Sequence, residues 1–237
     1  MSWLAGRVGV VTGSSRGIGA ATAMELARAG VRVVCGARTK TDLDAVAGKI
    51  RAEGLLADAV ECDVSRDADV DALFAFAETV GPPTVLVCAA GVLERALIEE
   101  TTPDHWRHTI DVNLTGAFLS CRRAFTAMRA AGGGRIVTIS SLSGVYATEK
   151  FPGLSAYNVS KYGVIGLTEA IAVEGRDHGV SAVCISPGAV DTEMLRRAAP
   201  HLNPGLRPSD VGRLIVELLD GEFDAMSGAN IPLFSNR

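Results

Sequence analysis

The sequence contains no hydrophobic run long enough to cross a membrane. Charged and polar residues interrupt its apolar segments well before the roughly 20 residues that a membrane helix requires. The start of the chain, Met1 to Gly6, is short and leads directly into a strand-like segment, which is unlike a secretory signal peptide. These absences predict a cytoplasmic protein without a membrane partner.

An excess of charge of one sign is also missing. The chain has 23 basic and 27 acidic residues, a net charge of −4, and both signs are interspersed. Nucleic acids and anionic membranes attract basic surfaces, so this balance argues against either partner. We found no internal repeat and no low-complexity linker. A single domain over residues 1–237 is therefore predicted, because doubly wound α/β domains often exceed about 200 residues.

The cysteines form no pair at the Cys-x-x-Cys spacing of zinc sites and redox motifs. Four of the five lie in or beside apolar, strand-like runs, where a thiol packs as a small hydrophobic group. The sequence thus predicts reduced thiols, with neither a disulfide framework nor a metal site. The residues concerned are Cys35, Cys62, Cys88, Cys121 and Cys184.

The sequence does contain a regular alternation of apolar, β-branched segments with segments of helical period. The former lack in/out alternation, as expected of strands covered on both faces. The predicted strands are Val8–Thr12, Arg32–Cys35, Ala57–Cys62, Thr84–Ala89, Gly134–Ser140, Ser181–Ile185 and Ala229–Leu233, and the predicted helices lie near 17–29, 41–53, 66–79, 103–130, 155–177 and 208–219. Such a series predicts a doubly wound α/β fold, with a mostly parallel sheet between two layers of helices.

A glycine-rich turn, Thr12-Gly13-Ser14-Ser15-Arg16-Gly17-Ile18-Gly19, follows the first predicted strand. A helix N-terminus offers unpaired N–H groups, and glycines let the backbone approach a pyrophosphate closely. The spacing is Gly-x-x-x-Gly-x-Gly rather than the commoner Gly-x-Gly-x-x-Gly. A tight strand–helix connection is the alternative, but the position between the first strand and a helix favours dinucleotide binding.

The residues after the second strand favour NADP(H) over NAD(H). A carboxylate there would repel a 2′-phosphate, but Ala37 occupies the position and Arg38 follows it. Arg16, in the glycine turn, is close enough in such a fold to reach the same place, and two guanidinium groups can hold a phosphate. The alternative is that both arginines are solvated surface groups.

Tyr157 and Lys161 are four residues apart at the start of a predicted helix, so their side chains share one face. A free phenol has a pKa of about 10, and we expect the lysine ammonium to lower that pKa. The pair can then act as acid and base between a carbonyl and an alcohol. A chance Tyr-x-x-x-Lys is the alternative, but this helix follows the fifth strand, where it faces a cofactor at the strand ends.

Two polar residues complete the candidate catalytic set. Ser141, at the end of the fifth strand, can hydrogen-bond a substrate carbonyl, or it is one of several serines that cap the turn. Asn113 lies within a predicted helix, which is an unfavourable place for asparagine. It is expected to bend the helix or hold a water, with an ordinary polar surface residue as the alternative.

Together these residues resemble the short-chain dehydrogenase/reductase family, and within it the 3-oxoacyl-[acyl-carrier-protein] reductases. The signatures occur in order over nearly the whole chain: the turn Thr12–Gly19, Asp63-Val64, Ala89-Ala90-Gly91, Asn113, Ser141, Tyr157 with Lys161, and Pro187-Gly188 followed by Thr192. The resemblance implies a seven-stranded Rossmann fold, assembled as a homotetramer or homodimer through long helices. We expect cofactor binding mainly in residues 6–115, and catalysis and substrate binding mainly in residues 116–237.

The resemblance also implies a role for each catalytic residue. Tyr157 would protonate the carbonyl oxygen as hydride arrives from the nicotinamide, and Lys161 would hold the ribose hydroxyls. Ser141 would orient the substrate oxygen, and Asn113 would anchor a water that relays protons to Lys161. The residues expected around NADP(H) are Gly13, Ser15, Arg16, Gly17, Ile18, Gly19, Arg38, Asp63, Val64, Ala90, Gly91, Tyr157, Lys161, Pro187, Gly188, Val190 and Thr192.

The chain departs from the family pattern in three places. The family's Asn-Asn-Ala-Gly is here Cys88-Ala89-Ala90-Gly91, so amides that brace the sheet are replaced. Extra residues lie within Tyr146–Leu154, and the region from Thr192 to Pro208, a substrate lid in the family, looks short. An open pocket for a bulky or carrier-bound substrate is expected. Five apolar residues either line this pocket or are ordinary packing residues. They are Leu93, Leu97, Phe151, Met194 and Leu195.

Three functions are compatible with these residues. The first is NADPH-dependent reduction of a small-molecule or carrier-bound carbonyl, such as a 3-oxoacyl thioester. The second is oxidation of an alcohol, sugar or steroid by the same residues. The third is a dinucleotide-binding regulatory protein without catalysis. The presence of Ser141, Tyr157 and Lys161 together argues against this third function.

Overall fold

Seven strands form one parallel sheet in the computed structural model, which describes residues 2–234. The strands are β1 (Val8–Thr12), β2 (Arg32–Ala37), β3 (Ala57–Glu61), β4 (Pro83–Cys88), β5 (Gly134–Ile139), β6 (Val180–Pro187) and β7 (Asn230–Leu233). Their order is β3-β2-β1-β4-β5-β6-β7, and every neighbouring pair is parallel. The predicted doubly wound fold is confirmed.

Helices cover both faces of this sheet. They are α1 (Gly17–Arg28), α2 (Lys40–Ala52), α3 (Asp67–Val80), α4 (Pro103–Ile110), α5 (Gly116–Ala130), α6 (Ser155–Gly175), α7 (Glu193–Ala198) and α8 (Pro208–Asp220). Alternate residues of a strand enter different layers: Val85 and Val87 of β4 pack with α1, α2 and α8, whereas Leu86 and Cys88 pack with α3 and α5. Burial on both faces explains why the strands read as continuous apolar runs.

The long helix predicted over residues 103–130 is interrupted. One turn of π-helix, Asp111–Thr115, separates α4 from α5, and Asn113 lies in that turn. The start of α4 agrees with prediction, because Pro103 is its first residue and the Thr102 hydroxyl accepts a hydrogen bond from the His105 amide at 3.1 Å. A π turn inside an α-helix often marks a functional site.

The region after β6 also differs from the sequence prediction. No helix was predicted there from the sequence, but it begins with the six-residue helix α7. The Thr192 hydroxyl caps this helix by accepting from the Leu195 amide at 3.2 Å, and Val190 pairs with Leu206 in a single parallel bridge. Smaller differences concern strand ends, since Cys62, Ala89 and Ser140 follow their strands rather than belonging to them.

The strand order creates a crevice above the sheet. The chain leaves β1 toward β2 on one side, whereas β4 leads to β5 on the other, so the connections diverge at the carboxyl ends of β1 and β4. Ligands of open α/β sheets bind at such a switch point. Between residues 2 and 234, no helix has the length and apolarity for a membrane crossing, and no group of three metal-ligating side chains was found.

Candidate active site

A cavity of about 690 Å³ opens at the crevice, and nearly all the predicted site residues line it. The exception is Asn113, which is buried beneath it. The predicted residues in the lining are Gly13, Ser15, Arg16, Gly17, Ile18, Gly19, Arg38, Asp63, Val64, Ala90, Gly91, Ser141, Tyr157, Lys161, Pro187, Gly188, Val190 and Thr192. The topology thus gathers segments that are up to 179 positions apart, from Gly13 to Thr192.

The glycine turn has the geometry of a phosphate cradle. Gly13 has φ of +68°, and a Cβ at this position would lie 2.5 Å from the backbone of Ala90, so no other residue fits. Helix α1 begins at Gly17, and its preceding residue makes no side-chain capping bond. The first amides of α1 are therefore available to an anionic group, and the residues present fit the pyrophosphate of a dinucleotide.

The two arginines lie at the same end of the cavity, but one of them already has a partner. Arg16 donates to the Glu193 carboxylate at 2.8 Å. Arg38 has no carboxylate within ion-pair distance among residues 2–234, although its charge helps to lower the pKa of Asp63. Ala37 ends β2, two residues beyond the predicted end of this strand at Cys35. Asp42, which the sequence did not indicate, also lines the cavity.

Asp63 is organised before any ligand arrives. Its carboxylate accepts hydrogen bonds from the Ser65 hydroxyl at 2.7 Å and the Ser65 amide at 3.0 Å. Burial acts to raise the pKa of Asp63, but the hydrogen bonds from Ser65 help to bring it below its usual value. Its own amide donates to Asp69 at 3.1 Å. Asp63 and Val64 therefore form a fixed wall of the cavity, which is the property a base-binding surface needs.

The Tyr157 and Lys161 side chains are both buried on one face of α6, as their spacing predicted. The Lys161 ammonium donates to the Ile139 carbonyl at 2.8 Å and lies 5.7 Å from the centre of the Tyr157 ring. The turn after β5 packs tightly on α6, because a Cβ on Gly144 would lie 2.5 Å from the carbonyl carbon of Lys161. This close contact brings Ser141 beside the pair.

Burial governs the charge states of the pair. It raises the pKa of the Tyr157 phenol, and a hydrogen bond with Ser141 opposes that rise. It lowers the pKa of Lys161 to about 8. The expectation that the pKa of Tyr157 is lowered is wrong, because burial, which disfavours the charged phenolate, is the largest cause of its shift. At neutral pH the phenol holds its proton and the lysine is mostly charged.

Ser141 both caps a turn and lines the cavity. Its hydroxyl oxygen accepts from the Ser143 amide at 3.1 Å and caps a single 3₁₀ turn, Leu142–Gly144. It also lines the cavity, where its hydroxyl acts to lower the pKa of the Tyr157 phenol against the effect of burial. The interpretation of this serine as a turn cap is therefore confirmed, whereas its contact with a substrate carbonyl stays a prediction.

Asn113 joins three elements beneath the cavity. Its Oδ1 accepts from the Val92 amide at 2.7 Å, and its Nδ2 donates to the Val92 carbonyl at 2.9 Å and to the Ser160 hydroxyl at 3.1 Å. Ser160 in turn donates to the Tyr157 carbonyl at 2.7 Å. The side chain thus ties the segment after β4 to the helix that carries Tyr157, and both its amide hydrogens are in use.

Apolar side chains line another part of the cavity, and the sequence indicated only some of them. Leu93, Phe151, Met194 and Leu195 line the cavity, whereas Leu97 does not. The remaining lining residues of this part belong to loops and to α7, where no motif in the sequence indicated them. They include Arg95, Leu142, Val145, Tyr146, Thr148, Leu154, Glu193, Ala198, His201, Leu202 and Phe234.

The parallel sheet, the glycine cradle and the buried phenol–lysine pair define the class of dinucleotide-binding α/β oxidoreductases. The chain belongs to the short-chain dehydrogenase family, whose family model, described as short chain dehydrogenase, matches residues 7–203. Members of this family bind a nicotinamide dinucleotide, and the cradle described above fits one.

The chain is similar to several characterised reductases. It is 35% identical over 237 residues to an acetoacetyl-CoA reductase of Shinella zoogloeoides, with 95% of each chain covered. It is 37% identical to a 3-oxoacyl-[acyl-carrier-protein] reductase of Synechocystis, covering 82% of this chain and 78% of the other. The match to a glycine betaine reductase of Emericella nidulans covers 81% of this chain but only 15% of that longer protein.

A solved structure supports the same family. It is a putative NAD(P) dependent gluconate 5-dehydrogenase from Beutenbergia cavernae with bound NADP. The TM-score is 0.89 at 33% sequence identity, and the match covers 97% of this chain and 95% of the other. The family match and the two similar reductases confirm the resemblance to 3-oxoacyl-[acyl-carrier-protein] reductases that the sequence motifs indicated.

Proposed function

We propose that this protein reduces the carbonyl of a 3-oxoacyl thioester or a similar ketone to an alcohol, with NADPH as the reductant. The observation that carries the proposal is the buried pair of Tyr157 and Lys161, which meets Ser141 at the end of a glycine-cradled cavity. The similarity to acetoacetyl-CoA and 3-oxoacyl reductases supports the substrate class. Bound NADPH would supply the hydride.

Each residue of this group has a step that its position allows. The raised pKa of Tyr157 keeps the phenol protonated, so it is a ready proton donor to the carbonyl oxygen. Ser141, held by its cap on the 3₁₀ turn, orients that oxygen. The positive charge of Lys161 lies beside the ring and stabilises the phenolate that remains after proton donation.

Asn113 takes part through position rather than contact. Its three hydrogen bonds hold Val92 and α6 together. A Cβ on Gly91 would lie 3.3 Å from the Asn113 Oδ1 and 3.7 Å from the Lys161 Nζ, so the amide and the ammonium face the same narrow space. We propose that a water in this space returns protons from solvent to Lys161.

The preference for NADPH rests on charge at the adenosine end. Arg38 is exposed, lines the cavity and lacks a close carboxylate partner within the described part of the chain. Arg16 is within reach if it exchanges Glu193 for a phosphate. A similar solved protein holds NADP. The remaining predicted contacts, from Gly13 to Thr192, complete the proposed binding site around the dinucleotide.

We further propose a cytoplasmic homodimer or homotetramer assembled through α5 and α6. These helices expose large apolar side chains, with Phe118 46%, Val159 47%, Tyr162 40% and Val173 67% accessible. Exposed apolar patches of this kind mark association surfaces. Residues 6–115 would bind mainly cofactor, whereas residues 116–237 would provide catalysis and most of the substrate site.

A second function, oxidation of an alcohol or sugar by the same residues, is favoured by one finding. The similar solved structure with NADP is described as a putative gluconate 5-dehydrogenase. The chemistry is the reverse of the proposed step, with phenolate as the base. The direction and substrate therefore require a kinetic test.

The test is NADPH consumption, followed by absorbance, against acetoacetyl thioesters, diketones, quinones and sugars. We expect turnover with the thioester, and loss of about 100-fold or more in kcat for Tyr157→Phe with cofactor affinity retained. Tyr162→Phe is the matched control, because this phenol lies on the same helix, is not part of the cavity lining and donates to the Val145 carbonyl.

Turnover only with alcohols and oxidised cofactor would support the second function. Tight NADP binding without any turnover would support a non-catalytic protein.

A further inference from the structure

Apolar side chains from three segments form part of the cavity lining. Leu93 follows β4, Val145 and Phe151 precede α6, and Met194 and Leu195 belong to α7; all five line the cavity. A surface of this composition recognises ligands by removing apolar area from water, with few polar groups to fix orientation.

Two polar groups at this part of the cavity already have a partner. The Thr148 hydroxyl donates to the Val145 carbonyl at 3.0 Å, and the neighbouring Lys150 ammonium donates to the same carbonyl at 2.6 Å. A sugar would need new partners for its hydroxyls here, because a buried hydroxyl without one is unfavourable. The Thr148 hydroxyl and the Lys150 ammonium are therefore not free to bind the hydroxyls of a sugar, whereas an apolar group needs no such partner.

Arg95 connects the two walls of this space. Its guanidinium donates to the Pro152 carbonyl at 2.9 Å and to the Ala198 carbonyl at 2.9 Å. Pro152 belongs to the segment before α6, whereas Ala198 is the last residue of α7. A cation at a helix C-terminus also interacts favourably with the unpaired carbonyls there.

One end of this connection is fixed by backbone contacts. The Ala96 amide donates to the Gly153 carbonyl at 3.1 Å, and Ala96 pairs with Leu154 in a parallel bridge. Arg95 is thus anchored on the first wall and reaches across to α7. Among residues 2–234, Glu193 of α7 also pairs with Arg16 in the glycine turn, and Arg196 pairs with Asp191 just before the helix.

We propose that this space is a preformed subsite for an apolar acyl chain attached to the substrate carbonyl, and that Arg95 is the positioning residue that sets its width. The inference rests on the proposed carbonyl reduction and names the substrate class within it: 3-oxoacyl groups longer than acetoacetyl. Arg95 acts through the Pro152 and Ala198 carbonyls and does not touch the reacting atoms.

The first experiment is a chain-length series on the intact enzyme. NADPH oxidation is measured with the N-acetylcysteamine thioesters of 3-oxobutanoate and 3-oxooctanoate, which differ by four methylene groups. We expect kcat/KM to be at least about tenfold higher for the longer substrate, mainly through a lower KM, since burial of each methylene favours binding. Equal or lower kcat/KM for the longer substrate would overturn the subsite.

The second experiment tests the role of Arg95. In Arg95→Met the ratio of kcat/KM for the longer over the shorter substrate should fall by about tenfold, the amount expected from losing charge-assisted hydrogen bonds. Arg95→Lys, which keeps one charged donor group, should recover part of the ratio. Arg129→Met, at an exposed arginine of α5, is the matched control. A ratio that stays at the wild-type value in Arg95→Met would refute the positioning role.

The outcomes separate this inference from the proposed function. If the wild-type enzyme binds NADPH but reduces neither thioester, the proposed function fails. If it reduces both without a length preference, only the acyl subsite fails. A general loss of folding in Arg95→Met would appear in its thermal unfolding, and the partial recovery in Arg95→Lys then decides the role.

Discussion

The Arg16 guanidinium and the Glu193 carboxylate form an ion pair at 2.8 Å across the mouth of the cavity. Arg16 precedes α1 in the glycine turn, whereas Glu193 is the first residue of α7. The pair therefore joins the cofactor cradle to the helix that forms one wall of the substrate space. A 2′-phosphate that binds Arg16 has to compete with Glu193 for the same guanidinium.

This competition predicts that Glu193→Gln increases affinity for NADPH. We expect Kd for NADPH to fall by about two- to fivefold, because the two side chains are 66% and 43% exposed and an exposed ion pair is weak. Kd for NADH should change less, since NADH lacks the phosphate. Titration calorimetry with both dinucleotides measures the effect. Asp191→Asn is the control, because it removes a neighbouring charge that pairs with Arg196 instead.

Arg38 provides a separate test of cofactor preference. Arg38→Asp should decrease the ratio of kcat/KM for NADPH over NADH by at least about tenfold, because a charge-assisted contact with the phosphate is replaced by repulsion. Lys40→Asp makes the same charge change two positions away, at a residue outside the cavity lining, and should leave the ratio near the wild-type value. An unchanged ratio in Arg38→Asp would mean that the 2′-phosphate lies elsewhere.

The fold was predictable because its determinants are periodic. Both-face burial of the strands gave apolar runs in the sequence, and the four-residue spacing of Tyr157 and Lys161 was enough to place both on one helix face. The glycine turn was equally accessible, since a close approach such as that of Gly13 to Ala90 leaves no room for a side chain.

What escaped prediction depends on contacts between distant segments. Glu193 is 177 positions from Arg16, and no local sequence pattern indicates that the two residues pair. The π turn at Asn113 goes together with hydrogen bonds to Val92, 21 positions earlier. The direction of the pKa shift of Tyr157 depends on how deeply the phenol is buried, which only the assembled structure shows.

Asn113 permits a test of the connection beneath the cavity. Asn113→Ala leaves the Val92 amide and carbonyl without their partners, so we expect the free energy of unfolding to decrease by about 1–3 kcal/mol. Urea denaturation followed by circular dichroism measures the change. Asn158→Ala is the matched control, because the buried Oδ1 of Asn158 has no hydrogen-bond partner among residues 2–234. Equal effects of the two variants would show that the Asn113 bonds add nothing specific to stability.

Lys161 predicts a pH dependence of stability with a definite sign. Burial lowers its pKa from 10.5 to about 8 in the folded protein. Between these two values the unfolded chain binds more protons than the folded protein, so the contribution of Lys161 to stability rises with pH in this window. Below pH 8 both states are protonated, and the folded protein carries the full unfavourable effect of a buried charge.

The comparison with Lys161→Met isolates this contribution, because methionine is apolar and similar in length. Buried groups with raised pKa values, such as Tyr157 and Cys62, destabilise both proteins at alkaline pH and largely cancel in the difference. The free energy of unfolding of the wild type, relative to the variant, should therefore increase by about 2 kcal/mol between pH 7 and pH 9.5. Denaturant titrations at the two pH values provide the measurement. A difference that is independent of pH would mean that Lys161 titrates in the folded protein as it does in the unfolded chain, and the buried ammonium beside Tyr157 would then no longer support the proposed acid–base pair.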